Sequence, residues 1–218
     1  LYVILLNLFL MKKITFIFFL FISAVVTAQD NEVLQPKENN VGIFLENSVD
    51  SLKKNKVDTI ITVIRFVGGR FYDSIGIPTY KCYIFWTKKS NSYFQELSGY
   101  SDHKVVKSNP ILLSKTDIFY FLNYNYDSIK NDFILPFIYK FKHNNIDCYG
   151  IPYSIHGSYN TISIYIKDSK VNKEINDSDL RDNSGEDCLN INSAHNNQTA
   201  LKILWHLLWE TIKKERTR

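Results

Sequence analysis

Three cysteines and five histidines are the residues of this 218-residue chain best suited to nucleophilic or metal chemistry. Cys82, Cys148 and Cys188 are disulfide candidates: in an oxidising compartment the arithmetic is one disulfide and one leftover thiol, with any of the pairings open. Cys82 and Cys148 sit in strand-like stretches, where a cysteine also serves as a small buried apolar side chain. Cys188 lies in a polar stretch. A thiolate is the reactive form, and an imidazole within reach would generate it. His103, His143, His156, His195 and His206 are scattered, with no H-x-x-E-H or H-E-x-x-H spacing and no C-x-x-C partner.

Carboxylates gather at Asn176 to Asp187, NDSDLRDNSGED. A calcium loop of the EF-hand type does not fit: with Gly185 at the sixth loop position, Leu180 falls where a carboxylate is required. A solvated loop is the plainer reading, so no metal ligand is assigned. The chain holds no Walker loop, no G-x-S-x-G and no dinucleotide fingerprint, and Gly68-Gly69 reads as a turn. No cofactor is expected.

Asp147-Cys148-Tyr149-Gly150 is similar to the Asp-Cys-Ser-Gly stretch of the NlpC/P60 cysteine peptidases, which cut cell-wall peptides. The resemblance implies a Cys148 thiolate activated by an imidazole. His195 and His206 follow at separations that suit the family's histidine and its orienting polar residue. The likeness covers four residues. In that family the cysteine opens a helix and the histidine lies on a strand. Here Ile151-Pro152 and alternating β residues follow Cys148, and His195 precedes a helix. The pattern favours Cys148 as a core or disulfide residue, and no catalytic residue is assigned.

Around these residues the chain declares its compartment. Lys12-Lys13, the apolar run Ile14 to Val26 and Val26-Thr27-Ala28 make the three-part pattern of a cleaved signal peptide at Met11 to Ala28. Cleavage is expected between Ala28 and Gln29. The apolar run of 13 residues is short of the roughly 20 that cross a bilayer. Leu1 to Leu10, LYVILLNLFL, reads as an upstream translation artefact, with Met11 as the start. Export to the periplasm or the extracellular space follows, with membrane contact only through an uncleaved signal segment.

Without residues 1–28, the 26 basic residues fall by Lys12 and Lys13 to 24 against 22 acids. A net charge of +2 is too balanced to imply nucleic acid as a partner. About 190 residues suffice for one domain with a real core.

Residues 29–40 read as a flexible linker, followed by a single α+β domain over 41–218. Val41, Leu45, Val49 and Leu52 share one face of a helix over Val41–Lys56. Val57–Val67 is apolar on both faces and reads as a central strand. Thr79–Thr87 and Ser92–Ser98 read as a hairpin, with short strands at Val105-Val106 and Ile111–Leu113. Ser114-Lys115-Thr116-Asp117 is a capping-box pattern before a helix reaching about Lys130, whose buried side is Ile118, Leu122, Ile129 and Phe133. Phe137–Lys142 reads as a strand and His143-Asn144-Asn145 as a turn. Asp147–Ile155 and Asn160–Lys167 form the best hairpin candidate, turning at His156-Gly157-Ser158. Residues 168–197 read as a long polar loop. The last helix, about Gln198–Lys214, is capped by Asn196 or Asn197 and carries the stripe Leu201, Leu204, Trp205, Leu208 and Ile212. His206 and Glu210 read as a surface pair one turn apart.

The expected fold is α+β: a mainly antiparallel sheet packed by an N-terminal helix, a middle helix and a C-terminal amphipathic helix. With no catalytic constellation, the expected function is a non-catalytic module binding a protein, peptide or glycan, with Phe71, Tyr72, Tyr100 and Tyr159 as exposed aromatics. The alternative is an exported cysteine-dependent hydrolase.

Overall fold

The apolar faces that the sequence marks out are the faces along which the chain packs. In a computed structural model the described residues are 41–67, 80–100, 104–114, 117–151, 158–183 and 189–217. The signal segment, the 29–40 linker, Phe71, Tyr72, His103, His156 and Cys188 lie outside them. The described residues belong to one compact unit, Gln35–Arg218.

The elements in order are α1 (Val41–Lys54), β1 (Thr59–Val67), β2 (Tyr80–Lys88), β3 (Asn91–Gly99), β4 (Val105–Lys107), β5 (Ile111–Leu112), α2 (Asp117–Asn131), β6 (Tyr139–His143), β7 (Ile146–Gly150), β8 (Ser158–Ile166), β9 (Ser169–Asn176), α3 (Ser193–Gln198) and α4 (Ala200–Arg216). The fold is α+β, with a seven-stranded antiparallel sheet ordered β4-β3-β2-β1-β8-β9 and β5 on the edge of β3. β1 is the central strand, paired with β2 and β8. That is why both of its faces are apolar.

The pleat sends alternate residues to two cores. Ile61, Val63, Phe85, Phe94, Ile162 and Ile164 meet Leu122 and Ile129 of α2 and Leu204, Leu208 and Ile212 of α4. On the other face, Ile60, Cys82, Ile84, Trp86 and Leu97 meet Leu45 and Val49 of α1. α1 lies so close to the end of β3 that a Cβ on Gly99 would collide with the Val41 side chain. Thr199 caps α4, its hydroxyl accepting from Lys202 N at 3.2 Å.

Four expectations are corrected. The Asp147–Ile155/Asn160–Lys167 hairpin does not form: β7 pairs with β6, and β8 enters the main sheet between β1 and β9. The turns decide this. Asn144 and Asn145 take φ 52° and 62°, the left-handed values of a two-residue hairpin turn, and Lys167 takes φ 52° between β8 and β9. Second, residues 168–197 are not one loop; they supply β9 and α3. Third, Asn196 and Asn197 do not cap α4, because the Asn196 amide is engaged elsewhere. Fourth, Phe133 is exposed and tilts against the His195 ring at 5.5 Å. The helix ends at Asn131, with Pro136 ahead.

Candidate interaction surface

β6 and β7 form a two-stranded ribbon separate from the main sheet. The residue types explain it: Tyr139-Lys-Phe-Lys-His143 and Ile146-Asp-Cys-Tyr-Gly150 alternate with period two about the Asn144-Asn145 turn. Such a ribbon is marginal by itself, so its base must be held.

Asparagine and aspartate side chains hold it. Phe137 N donates to Asp179 Oδ1 at 2.8 Å, and Ile138 N to Asn190 Oδ1 at 3.4 Å. Asn192 Nδ2 donates to Pro136 O at 2.8 Å, and Ile191 N to Ile138 O at 2.8 Å. Asn190 Nδ2 also reaches the carbonyls of Asp179 and Arg181. An isolated bridge pairs Tyr139 with Asn190. The chain over 135–138 thus finds in side chains the partners that a ladder would have supplied.

The ribbon itself is open on both faces. One face carries Tyr139, Phe141, His143, Ile146 and Cys148; the other carries Lys140, Lys142, Asp147 and Tyr149. Ile146 is 68% exposed, Tyr149 62%, Phe141 42% and, just beyond, Ile151 72%. Leu189 and Ile191, beside the base, are also exposed. Tyr139 and Phe141 lie ring to ring at 5.7 Å, and the Tyr139 ring occupies the space a Cβ on Gly150 would need. Across the other face Lys140 Nζ meets Asp147 Oδ2 at 2.6 Å; that hydrogen bond, then the carboxylate charge, raises the Lys140 pKa. Large apolar side chains thus stand in water on both faces of the ribbon.

The sequence-nominated chemistry is dispersed. Cys148 lies mid-strand, half-buried, its Sγ donating to Ile146 O at 3.7 Å, rather than opening a helix as the peptidase resemblance implies. No thiol–imidazole hydrogen bond occurs among the described residues: His195 rests on Phe133, and His206 is on the exposed side of α4. Glu210 is bonded to Lys213 at 2.8 Å, and His206 acts on it only through its charge, as the smallest contribution. Cys82 is buried, and burial pushes its thiol up to about 12. Both Cys82 and Cys148 are free thiols. The described carboxylates of the acidic run are already engaged. Asp177 takes Arg65 Nη2 at 3.0 Å and Asn160 Nδ2 at 2.6 Å, Asp179 takes Phe137 N, and Asp182 takes Asn197 Nδ2 at 3.1 Å. No group of three metal-ligating side chains gathers among the described residues. Of the nominated aromatics, Tyr159 is exposed and Tyr100 half-buried.

Two features escaped the sequence reading. One is the pairing that makes the ribbon: the strand at Phe137–Lys142 and the turn at His143-Asn144-Asn145 are read from the sequence, but the strand from Asp147 is there paired forward with Asn160–Lys167. The other is a polar end to the larger core, where Arg65 lies 4.1 Å over the Trp209 ring while paired to Asp177. Nearby Glu96 receives Lys81 and Arg216, each at 3.4 Å. A shallow groove of about 280 Å³ lies between the start of α2 and the C-terminal half of α4, lined by Asp117, Glu210, Thr211 and Lys214 among others. No family model, curated protein or solved structure matches this chain.

Proposed function

We propose that this protein is an exported, non-catalytic interaction module that binds a protein partner through the β6–β7 ribbon. One observation carries the reading: Phe141, Ile146 and Tyr149 stand exposed on a ribbon fastened at its base, with Ile151 exposed just beyond it. Exposed apolar area of this kind is costly unless something covers it. Export is supported by the Met11–Ala28 pattern. No described helix is long and apolar enough to cross a membrane.

The test is photo-crosslinking in the cells that make the protein. A photoreactive side chain replaces Ile146 or Tyr149 and, as controls, Lys56 and His206 on other surfaces. Discrete adducts from positions 146 and 149, absent at the controls and lost with Phe141→Ser, are expected. Adducts equal at all positions, or none at the ribbon, would sink the proposal.

A further inference from the structure

Resting on that reading, we infer that the occupant of the ribbon is a second copy of this chain, added antiparallel along the free edge of β7. The argument starts at the turn. A two-residue turn makes its flanking pair, His143 and Ile146, hydrogen-bonded, and such pairs alternate with non-hydrogen-bonded ones. Phe141–Cys148 and Tyr139–Gly150 are then hydrogen-bonded pairs as well. It follows that β7 turns the N–H and C=O of Asp147 and Tyr149 outward. Among the described residues no strand takes them. An unpaired edge of this kind is a template for another strand.

The edge is complementary to itself in one register. Centred on Cys148, an antiparallel pair sets Asp147 opposite the partner's Tyr149 and Tyr149 opposite the partner's Asp147. Every outward polar group of the two residues is then used. The register centred on Asp147 would oppose two carboxylates at hydrogen-bonded sites, and that centred on Tyr149 would set Asp147 opposite the partner's Ile151, beyond the end of β7. In the favoured register Ile146 lies opposite the partner's Gly150. There the missing side chain leaves the ring of the partner's Tyr139 for Ile146 to pack on. Cys148 meets the partner's Cys148 at a non-hydrogen-bonded site, where Cα atoms lie about 4.5 Å apart. That is inside the roughly 4.4–6.8 Å over which disulfides form. The result is a four-stranded sheet, β6-β7 continued into its two-fold copy, with Phe141, Cys148 and their copies in one row on one face. Edges this short bury less than a tight dimer needs, so association is concentration-dependent.

The test is oxidative crosslinking of the full chain carrying Cys188→Ser, over a concentration series with diamide. Each disulfide takes two protons and two electrons from two thiols to diamide, which becomes the hydrazine. The expected product is a dimer joined Cys148 to Cys148 by peptide mapping, its rate rising with protein concentration. Asp147→Pro removes an N–H that faces away from β6, a place where proline is tolerated. It should slow crosslinking at least tenfold. The register is read with two chains that also carry Cys148→Ser, one with Asp147→Cys and one with Tyr149→Cys. Mixed, they should crosslink to each other faster than either does to itself. Equal rates in all three combinations would overturn self-pairing even if Asp147→Pro disturbs the ribbon. Photo-adducts at position 146 that contain only foreign protein would overturn self-pairing and leave the interaction reading standing. No adduct would end both.

Discussion

The Asn196 side chain takes both backbone groups of Leu135: Leu135 N donates to Asn196 Oδ1 and Asn196 Nδ2 donates to Leu135 O, each at 2.9 Å. The same Nδ2 reaches Asp179 O at 2.9 Å. One fully buried amide, 61 residues downstream, thus does for Leu135 what a neighbouring strand does in a ladder. Asp132 and Lys173 extend the pattern. Asp132 Oδ2 accepts from Leu201 N at 3.1 Å, tying the end of α2 to the start of α4. Lys173 Nζ donates to the carbonyls of Lys130 and Asp132 at 2.7 and 2.6 Å.

Asn196→Ala is therefore expected to cost about 1–3 kcal/mol, because it strands part-buried backbone groups of Leu135 rather than merely losing a bond. Asn196→Asp should cost at least as much, since a carboxylate would face the carbonyls of Leu135 and Asp179. Denaturant unfolding measures both. A change within about 0.5 kcal/mol, the range of ordinary surface substitutions, would show that the stitch is dispensable.

The two free thiols should differ sharply in reactivity. Cys148 is half-buried on the ribbon, whereas Cys82 is fully buried under α1 and its thiol is pushed up to about 12 by burial. Brief alkylation of the native protein followed by peptide mass mapping should label Cys148 and spare Cys82 until denaturant is added. Labelling of Cys82 at the same rate would mean that α1 does not stay docked.

Tyr83 sets an alkaline limit. Its hydroxyl is buried and has no hydrogen-bond partner among the described residues. Burial, then the charge of Glu96, raises it to about 12 from 10.0, and burial raises Cys82 to about 12 from 9.0. In both cases the fold favours the neutral form. The stability linked to these groups is complete below the unfolded values of 9.0 and 10.0 and is lost as pH rises from there toward about 12. Melting temperature should therefore fall through this window. Tyr83→Phe should shallow the fall and, by removing an unsatisfied hydroxyl, leave neutral-pH stability unchanged or up to about 1 kcal/mol higher. A steeper alkaline fall in Tyr83→Phe would contradict this account.

Intact-mass analysis of the protein recovered from outside the cytoplasm should give a chain beginning at Gln29. A start at Leu1 or Met11 would refute cleavage after Ala28, and with it the exported half of the proposed function.

The helices and the main strands were legible because their apolar residues repeat with the periods of helix and sheet. Leu45 and Val49 on α1, Ile162 and Ile164 on β8, and Leu204, Leu208 and Ile212 on α4 are buried as their spacing requires. Strand partners were less legible. Periodicity says that Ile146–Gly150 is a strand but not whether it pairs forward or back; two asparagines with positive φ decide it. The stretch 168–197 was misread for a chemical reason. Asparagine is usually a turn residue, yet here Asn190 and Asn196 are buried and bind backbone across long separations, which no local pattern reveals. The ribbon surface was half-visible. Its alternating residues could be read, but whether Phe141 and Ile146 meet water or a core depends on what lies above them.

The stitch between Ile138 and Asn190 spans 52 residues. A nascent chain can close the Asn144-Asn145 turn early, but it cannot fasten the ribbon's base until Asn190 and Asn192 have been made. The fastened ribbon is thus presented only by a chain that has been made as far as Asn192. Copies ending before Asn190 carry the ribbon's residues without the Asn190 and Asn192 side chains that fasten its base.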